Sequence, residues 1–336
     1  MVKIGDKVFN TKVFLAPLAG CSDLPFRLIC REHGAQMAFF EMISSDALVR
    51  EREKTLNMLK STEADLPVAG QLLGSDPALM IDAALKMKER AKVEFIDINA
   101  ACPVRKVVTN GQGAALFKTP EKLFAIIKIL AKESGLPVTV KLRTGYEETD
   151  LKALVNVVRG CEDAGVSAIF LHGRTRAQLY SGGVDYGAIK KAKESVGIPV
   201  FGSGNILSGP LAKKMLSDTG CDGVIVARGA MGNPWIFKEI NSFLKSGLCS
   251  PPPDKKRRIE TLKRHISYIR KYSDISARSE TLRQGGNGIS APSVIGRMRK
   301  AALWYLKGFA LAAAARGKVT GAQSYEDLLK VLDKLL

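Results

Sequence analysis

The sequence predicts an α/β protein, a (β/α)8 TIM barrel followed by a small C-terminal helical domain, and three observations predict it. Eight short apolar runs rich in β-branched and aromatic residues recur up to Ala227, segments of helical period separate them, and a proline-rich break precedes a basic tail. The runs are residues 13–16, 37–40, 68–72, 93–98, 138–142, 168–171, 199–202 and 223–227. Between them, residues 77–90, 121–132, 150–163 and 209–216 repeat apolar positions every three or four residues, as amphipathic helices do. A doubly wound open sheet is the rival arrangement, but no GxGxxG turn follows the first run to support it.

The barrel is expected to occupy residues 1–244 and a linker 245–254. In the linker, Cys249-Ser250-Pro251-Pro252-Pro253-Asp254 cannot continue a helix and favours an extended spacer. The helical domain is expected over 255–336, with helical period in 255–271, 294–307 and 325–335, a breaker-rich loop at 284–292 and an alanine-rich stretch at 310–315.

Composition narrows the class. Of 336 residues, 46% are hydrophobic, and no apolar run approaches the roughly 18–20 residues that span a bilayer. The N-terminal Met1-Val2-Lys3-Ile4-Gly5-Asp6-Lys7 lacks the apolar core of a signal peptide, so a cytoplasmic protein with no membrane association is expected. Six cysteines show no CxxC pair and three histidines show no ligand spacing, so no metal is expected and most cysteines should be buried, reduced small hydrophobes. The net charge of +18 is uneven: from Lys245 onward, 19 Lys and Arg face 7 Asp and Glu. That excess coincides with the change of composition at the linker and points to a polyanion-binding surface rather than an ordinary solvated face.

In barrels of this kind reactive groups gather at the C-terminal ends of the strands. Reading those positions in order gives Ala16-Pro17-Leu18-Ala19-Gly20, Glu41, Gln71, then Asn99 and Cys102, Lys141 and Arg143, His172-Gly173-Arg174, Gly202-Ser203-Gly204-Asn205, and Ala227-Arg228-Gly229-Ala230. The last two loops suit a phosphate: glycine lets backbone N–H groups approach an anion, and Arg228 adds a charged donor. Lys141 ends an apolar strand, either to face the electron-rich edge of a flavin or to pair with a carboxylate such as Asp97. His172 would contact a phosphate or ring oxygen, or simply be a satisfied rim histidine. The Gln71 amide donates and accepts, as a flavin pyrimidine edge requires. Cys102 is the decisive residue. A lone cysteine is usually buried and structural, but Pro103, the loop position and the Arg105-Lys106 pair argue against that here. An ordinary thiol, with a reference pKa of about 8.5, is protonated near neutrality and suits a general acid.

These residues, in this order and spacing, resemble the tRNA-dihydrouridine synthases, nearest the bacterial B-type branch, over nearly the whole chain. The resemblance is carried by Ala16-Pro17-Leu18-Ala19-Gly20 with Asp23-Leu24-Pro25-Phe26-Arg27, by Cys102-Pro103, Lys141-Leu142-Arg143-Thr144-Gly145 and His172-Gly173-Arg174-Thr175-Arg176, and by Ala227-Arg228-Gly229-Ala230 with Pro234-Trp235-Ile236-Phe237. It implies a barrel holding FMN, NADPH as reductant, and a C-terminal domain that grips tRNA. FMN contacts would then fall to Pro17, Leu18, Ala19, Gln71, Lys141, His172, Ser203, Gly204, Asn205, Ala227 and Arg228, and Cys102 would be the proton donor. Substrate contacts are expected from Asn99, Arg143 and Arg174 at the mouth and Arg297, Arg299 and Lys300 in the tail, and the protein is expected to be a monomer. Two departures stand out. Asn99-Ala100-Ala101 replaces the family's Asn-Met-Gly before Cys-Pro, and Ser203-Gly204-Asn205 replaces its Asn-Gly-Asp.

Reduction of a uracil C5=C6 bond in tRNA is therefore the leading expectation. A small-molecule flavin reductase would use the same barrel but leave the basic tail unexplained. A non-enzymatic RNA-binding barrel would explain the tail but not Cys102, Lys141 and the glycine loops converging on one rim.

Overall fold

The computed structural model describes residues 1–273, 292–309 and 312–336. Residues 284–291 of the expected loop, and 310–311 of the alanine-rich stretch, lie outside them.

Eight parallel strands form the barrel: β3 (Val13–Leu15), β4 (Ala38–Ser44), β5 (Val68–Leu73), β6 (Ile96–Ala100), β7 (Val138–Arg143), β8 (Ala168–His172), β9 (Val200–Ser203) and β10 (Gly223–Val226). Their hydrogen-bonded order is β3-β10-β9-β8-β7-β6-β5-β4. The ring draws shut where the Leu15 N–H donates to the Met37 carbonyl at 2.9 Å. Every predicted run became a strand. β4 continues past Phe40 to Ser44 because its polar residues are part of the strand, a continuation that apolar runs alone do not show.

Side chains alternate across each strand and sort the buried residues into two layers. Val13, Phe40, Leu72, Ile98, Val140, Leu171 and Val226 pack outward under the helices. Phe14, Phe39, Phe95, Phe170 and Phe201 pack together inside the ring. A hairpin of β1 (Val2–Ile4) and β2 (Lys7–Phe9) adds Val2, Ile4 and Phe9 to this inner cluster, with Phe9 meeting Phe14 edge-on at 5.3 Å. Apolar packing thus fills the floor of the barrel, and the polar inward positions lie nearer the C-terminal ends of the strands. The hairpin is absent from the sequence reading because three-residue strands are too short to show alternation.

Around the ring run α1 (Leu24–Glu32), the short α2 (Ser45–Val49) and α3 (Glu53–Met58), α4 (Pro77–Arg90), the single-turn α5 (Arg105–Val108), α6 (Pro120–Glu133), α7 (Leu151–Asp163), α8 (Tyr186–Lys193), α9 (Gly209–Thr219) and α10 (Ile236–Ser246). Capping fixes several starts: Asp23, Asp76, Asp150, Asp185 and Ser208 each accept a first-turn N–H. Gly247, at φ +74°, ends α10 two residues beyond Leu244.

Past the prolines, Asp254 caps α11 (Lys255–Tyr272), and α12 (Pro292–Tyr305), α13 (Ala312–Gly321) and α14 (Tyr325–Asp333) follow. Ile259, Leu262, Ile266, Met298, Ala302, Leu306, Val319, Leu328 and Leu332 give these helices a core of their own. They lie against α1. The Phe26 ring contacts His265 and Trp304, Glu32 accepts from Arg264 and Tyr268, and Lys300 donates to the Gly20 carbonyl at 2.8 Å. Among the described residues no helix is long and apolar enough to cross a membrane.

His265 is buried between Phe26 and Tyr305, its Nδ1 has no hydrogen-bond partner among the described residues, and burial lowers its pKa to about 3. A neutral histidine in the fold that titrates near 6.5 once unfolded contributes stability that is intact above pH 6.5 and lost as pH falls toward 3. Replacing it (His265→Phe) should flatten the acid limb of stability against pH by up to one proton, about 1.4 kcal/mol per pH unit between those limits. Urea unfolding midpoints across that range check it; an unchanged slope contradicts it.

Candidate active site

The inward positions above the phenylalanine floor are polar and adjacent in the sheet. Register pairs Gln71 with Asp97, Asp97 with Thr139, Asn99 with Lys141, Arg143 with His172, and His172 with Ser203. Strand alternation therefore delivers a continuous belt of donors and acceptors to one mouth.

Cys102 sits on the turn that leaves β6, half-buried, with a free thiol. The turn is built by Asn99, whose Oδ1 accepts the N–H of Ala101 at 3.1 Å and of Cys102 at 2.8 Å. Asparagine forms such turns readily because its side chain mimics a backbone carbonyl. From the other side Arg143 Nε donates to the Ala101 carbonyl at 2.8 Å, and the Ala114 N–H to the Cys102 carbonyl at 3.0 Å. Gly113, at φ +60°, leaves no space for more: a Cβ there would stand 2.7 Å from the Cys102 carbonyl oxygen. The alanine at 101 fits, since its φ is not positive and glycine is not required.

Opposite lies a group of cations without carboxylate partners. Lys141, Arg143, Arg174 and Arg228 form no salt bridge among the described residues, and all four push the pKa of His172 downward after burial has done most of the work, to about 2. His172 is thus a neutral imidazole, with Nδ1 3.3 Å from Ser203 Oγ and a buried Nε2 that has no hydrogen-bond partner among the described residues. Lys141 is lowered to about 8, by burial first and Arg143 second. Asp97 does not pair with it. That carboxylate accepts from Gln71 and Thr139, and burial holds its pKa up at about 6 against those bonds.

Glycine loops close this side. Gly204 and Asn205 both take positive φ, +125° and +51°, and a Cβ on Gly204 would stand 2.9 Å from Val184. Asparagine tolerates the left-handed region, so the Ser203-Gly204-Asn205 departure keeps the loop's shape. A Cβ on Gly229 would collide with the Ile206 carbonyl. The exposed Arg228 lies under the Tyr180 ring, 4.7 Å from its centroid.

The expected residues divide by what they touch. Pro17, Leu18 and Ala19 form the loop after β3, and Ala227 directly follows β10. Gln71 keeps its amide in the belt. Asn99 and Arg143 are committed to the Cys102 turn, and Arg143 also donates to the Thr175 and Leu179 carbonyls. Arg174 holds the 181–182 carbonyls and Asn205 Oδ1, while its buried Nη1 has no hydrogen-bond partner among the described residues. From the tail, Arg297 reaches Asp23 and Lys300 reaches Gly20, both on the loop after β3. Arg299 instead donates to Ala322 within the helical region. Cys30, Cys161 and Cys221 are buried; Cys21 and Cys102 are half-buried and Cys249 is exposed, so burial holds for half of the cysteines rather than most. The sequence reading missed Thr139, Gly113 and the turn-forming use of Asn99. An asparagine three residues before a proline-flanked cysteine was the available signal.

Residues 14–334 match the family described as Dihydrouridine synthase (Dus). The chain belongs to the dihydrouridine synthase family. Three relatives illustrate the kinship. A tRNA-dihydrouridine synthase B of Pseudomonas putida is 37% identical over 276 residues, 82% of this chain and 81% of that one. Another, of Vibrio vulnificus, is 40% identical over 251 residues, 74% of this chain and 77% of that one. A probable tRNA-dihydrouridine synthase of Rickettsia conorii is 34% identical over 320 residues, 95% and 91% of the two chains. The family match runs through both barrel and helical tail, and the alignment with the Rickettsia relative spans nearly all of the chain.

Proposed function

We propose that this chain reduces the C5=C6 bond of specific uridines in tRNA to 5,6-dihydrouridine, with FMN as cofactor, NADPH as reductant and a proton from Cys102. The observation that carries the reading is a positioned, half-buried thiol beside a belt of cations that form no salt bridge among the described residues. That belt suits an anionic cofactor: His172 Nε2 and Arg174 Nη1 are buried and have no hydrogen-bond partner among the described residues, while Gly204 and Gly229 let their loops pack closely against Val184 and the Ile206 carbonyl. Ser203, Gly204, Asn205, Ala227 and Arg228 would hold the phosphate, with Pro17, Leu18, Ala19, Gln71, Lys141 and His172 around the flavin ring. The chemistry bound FMN supplies is hydride, renewed from NADPH.

The chain's own part is to present the base and the proton. A stacked uridine cannot enter a barrel mouth, so the target is extruded from the RNA. Cys102 delivers a proton to C5 of the base, held in place by Asn99 and Arg143. Residues 1–244 form the catalytic barrel and 255–336, joined by 245–254, the tRNA-binding domain, where exposed lysines and arginines of α11 and α12 contact phosphates.

Nucleoside mass spectrometry tests the reading. An unmodified tRNA transcript incubated with the protein, FMN and NADPH should yield uridine heavier by two hydrogens, and no product from an FMN-loaded protein counts against it. Affinity for the same transcript should fall linearly in log K against log salt with a slope steeper than about −3, as phosphate neutralisation requires. A flat dependence, together with turnover of free pyrimidines, would favour a small-molecule reductase.

A further inference from the structure

We propose that Asp97 and Gln71 are positioning residues for the Cys102 turn, acting through a hydrogen-bond chain whose direction the Asp97 carboxylate sets. The inference rests on Cys102 as the proton donor, and it adds what keeps that thiol in place.

The chain crosses three strands. Thr139 Oγ1 donates to Asp97 Oδ1 at 2.7 Å, and Gln71 Nε2 donates to Asp97 Oδ2 at 2.7 Å. Asn99 Nδ2 donates to Gln71 Oε1 at 2.8 Å, which leaves Asn99 Oδ1 to accept from the Ala101 and Cys102 N–H groups. Each amide in the chain has one donating and one accepting end, so turning either one over reverses every later link. An ionised carboxylate only accepts. Asp97 is therefore the member without a choice: it forces the Gln71 amide to face it with nitrogen and the Asn99 amide to face Gln71 with nitrogen. The Asn99 oxygen is then aimed at the turn. Asp97 is 0% exposed, Gln71 1% and Asn99 7%, so water does not replace a mismatched link. Asp97 forms no ion pair among the described residues, and its two bonds within the chain account for both oxygens.

Reversing the chain tests it. Asn99→Asp places an acceptor where Gln71 needs a donor, so one acceptor–acceptor contact follows whichever way the Gln71 amide turns. FMN-loaded Asn99→Asp should lose at least about ten-fold in single-turnover dihydrouridine formation. Iodoacetamide alkylation of Cys102, located by peptide mass spectrometry, should quicken several-fold as the turn loosens. Adding Asp97→Asn restores a consistent chain in the opposite direction: the new amide at 97 donates to Gln71, and Gln71 donates to the new carboxylate at 99. The double variant should regain most of both losses. A double variant no better than Asn99→Asp alone, or an Asn99→Asp protein with wild-type rate and alkylation, overturns the proposal. If Asn99→Asp does not fold, Gln71→Met cuts the chain without adding charge; quickened Cys102 alkylation then supports the proposal and a wild-type rate overturns it. Failure of the catalytic reading looks different: Cys102→Ala would turn over normally while the alkylation pattern still followed the chain.

Discussion

Replacing the thiol (Cys102→Ala) should leave a yellow, FMN-loaded protein whose dihydrouridine formation falls by at least about 100-fold, the lower range for loss of a positioned general acid. The separation of binding from chemistry follows from the site's construction. Cys102 lies on the β6 turn, whereas the cations and glycine loops proposed to hold the cofactor belong to β7–β10 and the loops that follow them. The turn's backbone is fixed by Asn99, Arg143 and Ala114, none of which needs the sulfur. Removing the thiol therefore removes the proton and little else. Unchanged turnover in Cys102→Ala would falsify the acid role, and loss of flavin in the same variant would mean the turn reaches into the cofactor site.

Neutralising Asp65 (Asp65→Asn) should destabilise the protein by about 3–5 kcal/mol, because it leaves a buried guanidinium without its counter-charge. The Arg27 and Asp65 side chains are both 0% exposed, 2.7 Å apart. Arg27 offers Nε and Nη2 to the carboxylate, Nη1 to the Ser22 carbonyl and Nη2 to the Lys60 carbonyl, and its guanidinium lies over the Phe40 ring. Arg31 donates to the backbone carbonyls of Asp65 and Pro67, so the carboxylate anchors a segment as well as a charge. Because Arg27 also holds Ser22, the loop after β3 should loosen with it, and flavin retention should weaken alongside the urea midpoint. A midpoint shift worth under 1 kcal/mol would contradict this account. In the sequence, Arg27 was only one letter of the Asp23-Leu24-Pro25-Phe26-Arg27 motif. The fold makes it a brace for the site rather than part of the chemistry.

Much of the site was legible because strand ends are legible. Polar residues at inward positions near the C-terminal end of a barrel strand face the mouth, and Gln71, Asn99, Lys141, His172 and Ser203 all do. What each side chain does there was not legible. Arg143 and Arg174 read as substrate contacts, yet carbonyl oxygens of neighbouring loops occupy much of their hydrogen-bonding capacity. Arg299 read like Arg297 and Lys300, but helical rotation turns it to Ala322 while the other two reach the barrel. Asp97 entered only as a partner for Lys141, and in the structure it accepts from Gln71 and Thr139 instead.

The sequence by itself determined the strand–helix alternation, the break at the prolines, the concentration of charge beyond them and the position of the lone cysteine. Those follow from local rules: period, propensity and turn chemistry act over a few residues. Only the tertiary structure decided that a hairpin fills the barrel floor, that His172 stands among four cations, and that a hydrogen-bond chain runs from Thr139 to the Cys102 turn. Those features join residues up to about 200 positions apart, and they depend on sheet register, which sets who faces whom and which no local rule encodes.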